Sequence, residues 1–189
     1  MSWIIDKTFE FCYGHRVWTQ ELNGEYAADL KCACRHLHGH EGKMQVYLTP
    51  NRAEIGVNSL DKTGMVTDFR HLEWLKKWIN TYIDHQFIID KADPLYGKII
   101  GNCDLVPVLV PDTDFVAGWH LDLTGLEENT PEYEYYEGFM VVDFVPTSER
   151  LSAWMAELVE VKMRKLGVRV HHIDWWETPK SRSVYYTDY

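Results

Sequence analysis

Hydrophobic and polar positions alternate from Trp3 to Tyr13 and put Phe9, Phe11 and Tyr13 on one face, a period of two that predicts a strand with His15 at its end. A polar stretch from Thr19 to Lys31, containing Asn23-Gly24, interrupts the pattern and reads as a loop. Alternation resumes from Lys43 to Thr49, with Met44, Val46 and Leu48 on one face and Gln45, Tyr47 and Thr49 on the other, so His38 and His40 stand where a second strand begins. At Asp68 the period changes. Phe69, Leu72, Leu75, Ile79 and Tyr82 recur at helical spacing behind Asp68 as N-cap, predicting a helix that ends near Asp84-His85. A second helix is predicted from the N-cap Thr147 to about Leu166, with Leu151, Trp154, Met155, Leu158 and Leu166 on its buried side and Gly167 as its stop. Strands over Val168–Trp175 and Ser183–Thr187 complete an α+β order of ββααββ.

Between the helices, residues 91–140 break the pattern. Four prolines (Pro94, Pro107, Pro111, Pro131), acidic runs around Glu127-Glu128 and Glu132–Glu137, and short apolar runs such as Leu105–Val110 mark an inserted segment. It is too long for a structureless loop and is expected to form a hairpin or lid of its own. At 189 residues the chain suits a single domain carrying this insertion.

Composition narrows the class. With 46% hydrophobic residues, eight Trp and eleven Tyr, the chain is too apolar to be disordered, and no apolar run approaches the length of a membrane span. The N-terminus lacks the basic start, apolar core and cleavage site of a secretory signal, so a cytoplasmic protein with four free cysteines is expected. A net charge of −10 argues against a general nucleic-acid binder. It leaves room for a small anionic substrate if Arg16, Lys31, Arg35 and Lys43 form a local basic mouth.

The chemistry concentrates near one strand end. His38-Gly39-His40 points two imidazoles the same way on an extended backbone, and His15 closes the neighbouring predicted strand, so antiparallel pairing would bring three imidazoles together. Three neutral imidazoles with an open fourth position suit zinc best, and Gly39 is expected to leave room for the metal's surroundings. Cys34, close to Arg35 and Lys31, could serve as a thiolate base; Cys32, two residues earlier, competes for that role, and spacing alone does not separate them. Asp84-His85 offers an acid-base pair, and Glu177, after Trp175-Trp176, could accept paired N–H donors from a planar heterocycle. His171 and His172, expected on opposite sides of their strand, read as structural, as do His36 and His71. His120 and Cys103 have no partners at ligand spacing.

Six stretches in register carry a family resemblance: Phe9–Val17, Cys34–His40, Gly64–Phe69, Ile83–His85, Pro146–Glu149 and Glu177-Thr178. Together the chain resembles the 6-pyruvoyltetrahydropterin synthase and 6-carboxytetrahydropterin synthase family. The resemblance implies a tunnelling fold (T-fold): an antiparallel four-stranded sheet with two helices packed on one face. Subunits of this kind join their sheets into a barrel, usually as a homohexamer with active sites between subunits. It also implies one Zn2+ per subunit on His15, His38 and His40, Cys34 as the proton-abstracting base, Asp84 and His85 as its relay, and Glu177 with Thr178 as the pterin anchor.

Within the family, a cysteine in C-x-x-x-H-G-H spacing resembles the carboxy-forming, queuosine-pathway enzymes, and Cys34 has that spacing. Cys32 has the longer spacing of the pyruvoyl-forming type. The first reading implies conversion of 7,8-dihydroneopterin triphosphate to 6-carboxy-5,6,7,8-tetrahydropterin, acetaldehyde and triphosphate; the others are triphosphate elimination to the pyruvoyl product, or zinc-stabilised binding without catalysis. The chain departs from the family at Tyr13-Gly14, where two small residues are common, at Glu41-Gly42 in place of Asn-Tyr, at Ile88-Ile89 in place of Leu-Asn, and in the insertion.

Overall fold

Strand β1 (Ile5–His15) pairs antiparallel with β2 (His38–Pro50) along its whole length, from Ile5 opposite Leu48 to His15 opposite His38. These are the two expected strands, each extended so that the histidines lie inside the ladder. The computed structural model describes residues 3–21, 33–51 and 60–187. Asn23-Gly24, Lys31 and Cys32 lie outside the described residues.

Alternation sorts the two faces of this hairpin. Phe9, Phe11, Tyr13 and His15 are buried on β1, as are Gly42, Met44, Val46 and Leu48 on β2, while Cys12 and Glu41 are exposed. Across β2 runs β7 (Val168–Thr178), and β8 (Ser181–Tyr186) forms the far edge. A bulge sits where Tyr47 pairs with His172 and Leu48 with Val170, leaving His171 as the extra residue. It shifts the parity of β7, so Val168 and Val170 face the same core as Ile173 and Trp175. It also corrects one expectation: His171 and His172 do not diverge but lie with their Nδ1 atoms 2.6 Å apart, and both rings pack against Tyr186.

Two helices cover the buried face. Asp68 caps a short 3₁₀ turn, accepting from the Arg70 amide at 2.8 Å, and α1 (Glu73–Tyr82) follows with Leu75, Trp78 and Ile79 inward. The last helix, Ser148–Met163, begins at the Thr147 N-cap and gives way to a 3₁₀ turn that stops at Gly167, whose φ of 70° is one L-residues avoid. Phe69 and Leu166, expected inside, fall in the 3₁₀ turns and are exposed. The side chains of both helices join Phe9, Phe11, Met44, Val46, Ile173 and Trp175 in one core.

The sheet is wider than four strands. Beyond β1 come β3 (Gln86–Asp90), β6 (Phe139–Val142), β5 (Val116–Leu121) and β4 (Leu105–Leu109), giving the order β4-β5-β6-β3-β1-β2-β7-β8 among the described residues. β3 runs parallel to both β1 and β6. Both strands are buried on two sides, which explains their unbroken apolar sequences: Ile88, Met140 and Val142 face the main core, while Ile89, Phe139 and Val141 face a second core with Ile100 and Leu121. The short helices α2 (Tyr96–Ile99) and α3 (Pro131–Glu137) lie within the same segment, making Ser148–Met163 α4. The inserted segment is thus an extension of the sheet, fastened by the indole N–H of Trp154 on α4 donating to the Ala117 carbonyl at 2.6 Å.

Candidate metal centre and active site

Pairing of β1 with β2 places His15 opposite His38 and Tyr13 opposite His40, all on the helix-covered face. One ring nitrogen from each of His15, His38 and His40 lies within 4.8 Å of the others, and the His15 and His40 Nε2 atoms are 3.1 Å apart. This is the convergence expected from the spacing.

Backbone carbonyls set the tautomers. The Pro146 carbonyl lies 2.6 Å from His15 Nδ1 and the His36 carbonyl 2.8 Å from His38 Nδ1; a carbonyl only accepts, so each Nδ1 carries the proton. With Nδ1 donating to a carbonyl, Nε2 is the nitrogen left to face a metal, the arrangement that orients a metal-bound imidazole. Burial holds the His15 pKa down at about 4, with the Pro146 carbonyl opposing and His38 and His40 adding to the depression. Burial, then His38, lowers His40 too. Three imidazoles whose ring nitrogens converge within ligand distance of one another fit a divalent cation: two nitrogens on one tetrahedral ion at about 2.0–2.1 Å stand only slightly farther apart than the His15 and His40 Nε2 atoms do. His15 is buried, while His38 and His40 are partly exposed and leave one side open.

Glu177 reaches the same place from β7. A second irregularity, between Trp176 and Thr178 in the β7–β8 ladder, aims its side chain, and Oε1 lies 3.8 Å from His15 Nε2. Burial raises its pKa, helped by the carboxylate of Glu149 in the first turn of α4 and opposed by His38. The Thr178 hydroxyl accepts from the Lys180 amide at 3.2 Å within the β7–β8 turn.

Cys34 sits in a three-residue 3₁₀ turn, Ala33–Arg35, just before β2, with its carbonyl accepting from the Val17 amide at 2.8 Å. It is half-buried and outside the ligand-distance group of histidines. Asp84 and His85 are not on the triad's face. Asp84 Oδ1 accepts from the Cys12 amide at 2.8 Å and lies 3.0 Å from His85 Nδ1, whose side chain is 79% exposed. His85, with a φ of 62°, lines a cleft of about 440 Å³ with Cys12, Gly14, Gly39 and Glu41, positions that alternate with the triad, and with Tyr13 and His40 at its border.

The structure corrects two expectations about the surroundings. Gly39 does not make room beside the imidazoles; it faces away from them, and a Cβ there would come within 3.0 Å of the Tyr13 carbonyl on the adjacent strand. Nor do Arg16 and Lys43 join a basic mouth: Arg16 is buried 3.0 Å from Asp93, and Lys43 lies over the Trp176 ring on the opposite face, while Lys31 lies outside the described residues. Sequence reasoning missed Tyr13, whose buried hydroxyl accepts from Trp175 Nε1 at 3.0 Å and whose ring packs against His15 and His40. Burial pushes the Tyr13 pKa well up, so it stays a neutral phenol. Gly42 makes room for that ring, since a Cβ there would stand 2.8 Å from it.

A helix-backed sheet with a three-imidazole centre at one strand end defines a T-fold protein with a candidate metal site. The model of the 6-pyruvoyl tetrahydropterin synthase family matches residues 4–188, and the chain belongs to that family. It is 30% identical to a protein of Aquifex aeolicus named 6-carboxy-5,6,7,8-tetrahydropterin synthase, over 98% of both chains. A Rickettsia typhi protein of the same name is 38% identical over 51% of this chain and 58% of its own. Among solved structures, an uncharacterized protein from Wolinella succinogenes superposes with a TM-score of 0.82 at 41% identity, covering 100% of this chain and 99% of the other. The 6-pyruvoyl tetrahydropterin synthase of Caenorhabditis elegans shares the fold, with a TM-score of 0.56 at 17% identity, over 100% of this chain and 97% of its own.

Proposed function

We propose that this protein is a zinc-dependent 6-carboxy-5,6,7,8-tetrahydropterin synthase, a cytoplasmic lyase that acts on 7,8-dihydroneopterin triphosphate in queuosine biosynthesis. The observation that carries the reading is the convergence of three imidazoles within ligand distance of one another, with the Glu177 carboxyl 3.8 Å from one of them. Zinc held by His15, His38 and His40 would polarise the substrate's side-chain hydroxyls as a Lewis acid and acidify the neighbouring C–H bond.

The chain's own residues do the rest. Cys34, as thiolate, removes a proton from the side chain. Glu177, beside Thr178 at the end of β7, accepts the N–H donors of the flat pterin ring, and its raised pKa suits it to pass a proton onward. Asp84 orients His85 as the relay. Because that pair is exposed on the other side of the sheet, the proposal assigns it to the site of a neighbouring copy in a homo-oligomer, a hexamer by family resemblance. Substrate and water leave as 6-carboxytetrahydropterin, acetaldehyde and triphosphate. The Aquifex relative, named for that product and matched over nearly both full lengths, supports the carboxy-forming reading over the pyruvoyl-forming one. Mass spectrometry after incubation with 7,8-dihydroneopterin triphosphate tests it: the carboxy product is expected, and a pyruvoyl product or unchanged substrate would overturn the assignment.

A further inference from the structure

We infer that Asp90 and Asp93, at the start of the inserted segment, are positioning residues that hold the chain around Arg16–Trp18 and so set where Cys34 stands relative to the histidine triad. The inference rests on the reading of Cys34 as the base. The sheet ladder fixes all three histidines, but Cys34 precedes β2 and is outside that ladder. Its backbone is tied to the exit of β1 by the Val17 amide, 2.8 Å from the Cys34 carbonyl, and the turn Trp18–Glu21 packs on the Ala33–Arg35 turn. Through this contact, what holds residues 16–18 bears on the position of Cys34.

Two carboxylates do so, each working in two directions. Asp90, ending β3, accepts from the Ala92 amide with Oδ1 at 2.9 Å and from Trp18 Nε1 with Oδ2, also at 2.9 Å. Asp93 accepts from the Leu95 amide with Oδ1 at 2.8 Å, and its Oδ2 lies 3.0 Å from Arg16 Nε. The last contact is an ion pair by distance, since the Nε–H is not aligned for a hydrogen bond. The Arg16 and Asp93 side chains are 4% and 0% exposed. A buried ion pair of this kind adds little net stability, because desolvating both charges offsets their attraction, whereas it does fix geometry. One oxygen of each aspartate thus shapes the turn after β3, and the other ties that turn to the exit of β1, next to His15 and against Cys34.

The test separates placement from folding. Trp18→Phe removes one N–H and keeps the aromatic ring. Asp93→Asn keeps the Oδ1 acceptor but strands a buried guanidinium, so the uncharged pair Arg16→Met/Asp93→Leu is measured beside it. With the zinc-loaded protein, alkylation of Cys34 by iodoacetamide, resolved from Cys12, Cys32 and Cys103 by tandem mass spectrometry, is expected to change at least about fivefold in rate. With 7,8-dihydroneopterin triphosphate, kcat is expected to fall about tenfold or more while KM stays within about twofold, as for a displaced catalytic group with substrate contacts intact. Wild-type Cys34 alkylation and kcat in folded Trp18→Phe and in the folded double variant would overturn the inference. Absence of turnover in the wild-type protein would instead sink the functional reading, and the alkylation rates would still decide the placement.

Discussion

His15 combines deep burial, a proton held on Nδ1 by the Pro146 carbonyl and a pKa of about 4, well below the ordinary 6.5. Its sign for stability follows directly. Below pH 6.5 the unfolded chain takes up a proton that the native imidazole refuses until about pH 4, so His15 contributes stability that is full above pH 6.5 and is lost as pH falls through that window. Urea midpoints of the metal-free protein are expected to drop between pH 6.5 and 4, with a shallower drop in His15→Gln; equal slopes would contradict this account. Cys34→Ala is expected to keep zinc at one per chain by elemental analysis while lowering kcat at least about a hundredfold, the scale of losing a general base. A Cys32→Ala variant that is equally inactive, beside an active Cys34→Ala, would reverse the assignment. The triad was legible in the sequence because alternation and a single intervening glycine determine which way two side chains point. The Pro146 carbonyl was not legible, since a backbone oxygen has no letter and reaches His15 across 131 residues of chain. Tyr13 was half legible: its place on the buried face follows from alternation, its bond to Trp175 does not.

At the level of elements, the helices read best, because caps are local chemistry. Asp68, Thr147 and Gly167 all act where the pattern puts them. Gly167→Ala is therefore expected to cost about 1–2 kcal/mol in unfolding free energy, the penalty for a Cβ in the left-handed region, with turnover by the folded fraction unchanged; a stability equal to wild type would show that the stop needs no glycine. The strands β3 and β6 were missed for a physical reason. Ile88-Ile89 and Phe139–Val142 are buried on both faces, so they carry no alternation, and a short apolar run alone does not declare itself a strand. The bulge in β7 left a trace, the change of apolar parity from Val168 and Val170 to Ile173 and Trp175, but only the register shows that His171 is the extra residue. Tyr13 and Gly42 belong together across β1 and β2, the ring on one strand filling the space above the glycine on the next.

For the whole molecule, the inserted segment is neither a free lid nor a separate unit: it adds strands to the sheet beyond β3 and contributes Asp93 to the surroundings of Arg16. No helix is long and apolar enough to cross a membrane among the described residues. The separation of Asp84-His85 from the triad within one chain leads to a prediction for the proposed assembly. Inactive Cys34→Ala and His85→Ala chains, co-expressed and purified as mixed oligomers, are expected to recover roughly a quarter of wild-type activity if each site draws on two copies; no recovery would place the relay within a single chain. The central claim, a three-histidine metal centre that splits the side chain of a dihydropterin, is tested most directly by the ratio of acetaldehyde to triphosphate released from 7,8-dihydroneopterin triphosphate by metal-stripped and zinc-restored protein. The account predicts equal amounts of both from the zinc-restored protein and neither from the stripped protein. Triphosphate without acetaldehyde, or acetaldehyde that persists after complete metal removal, would contradict it.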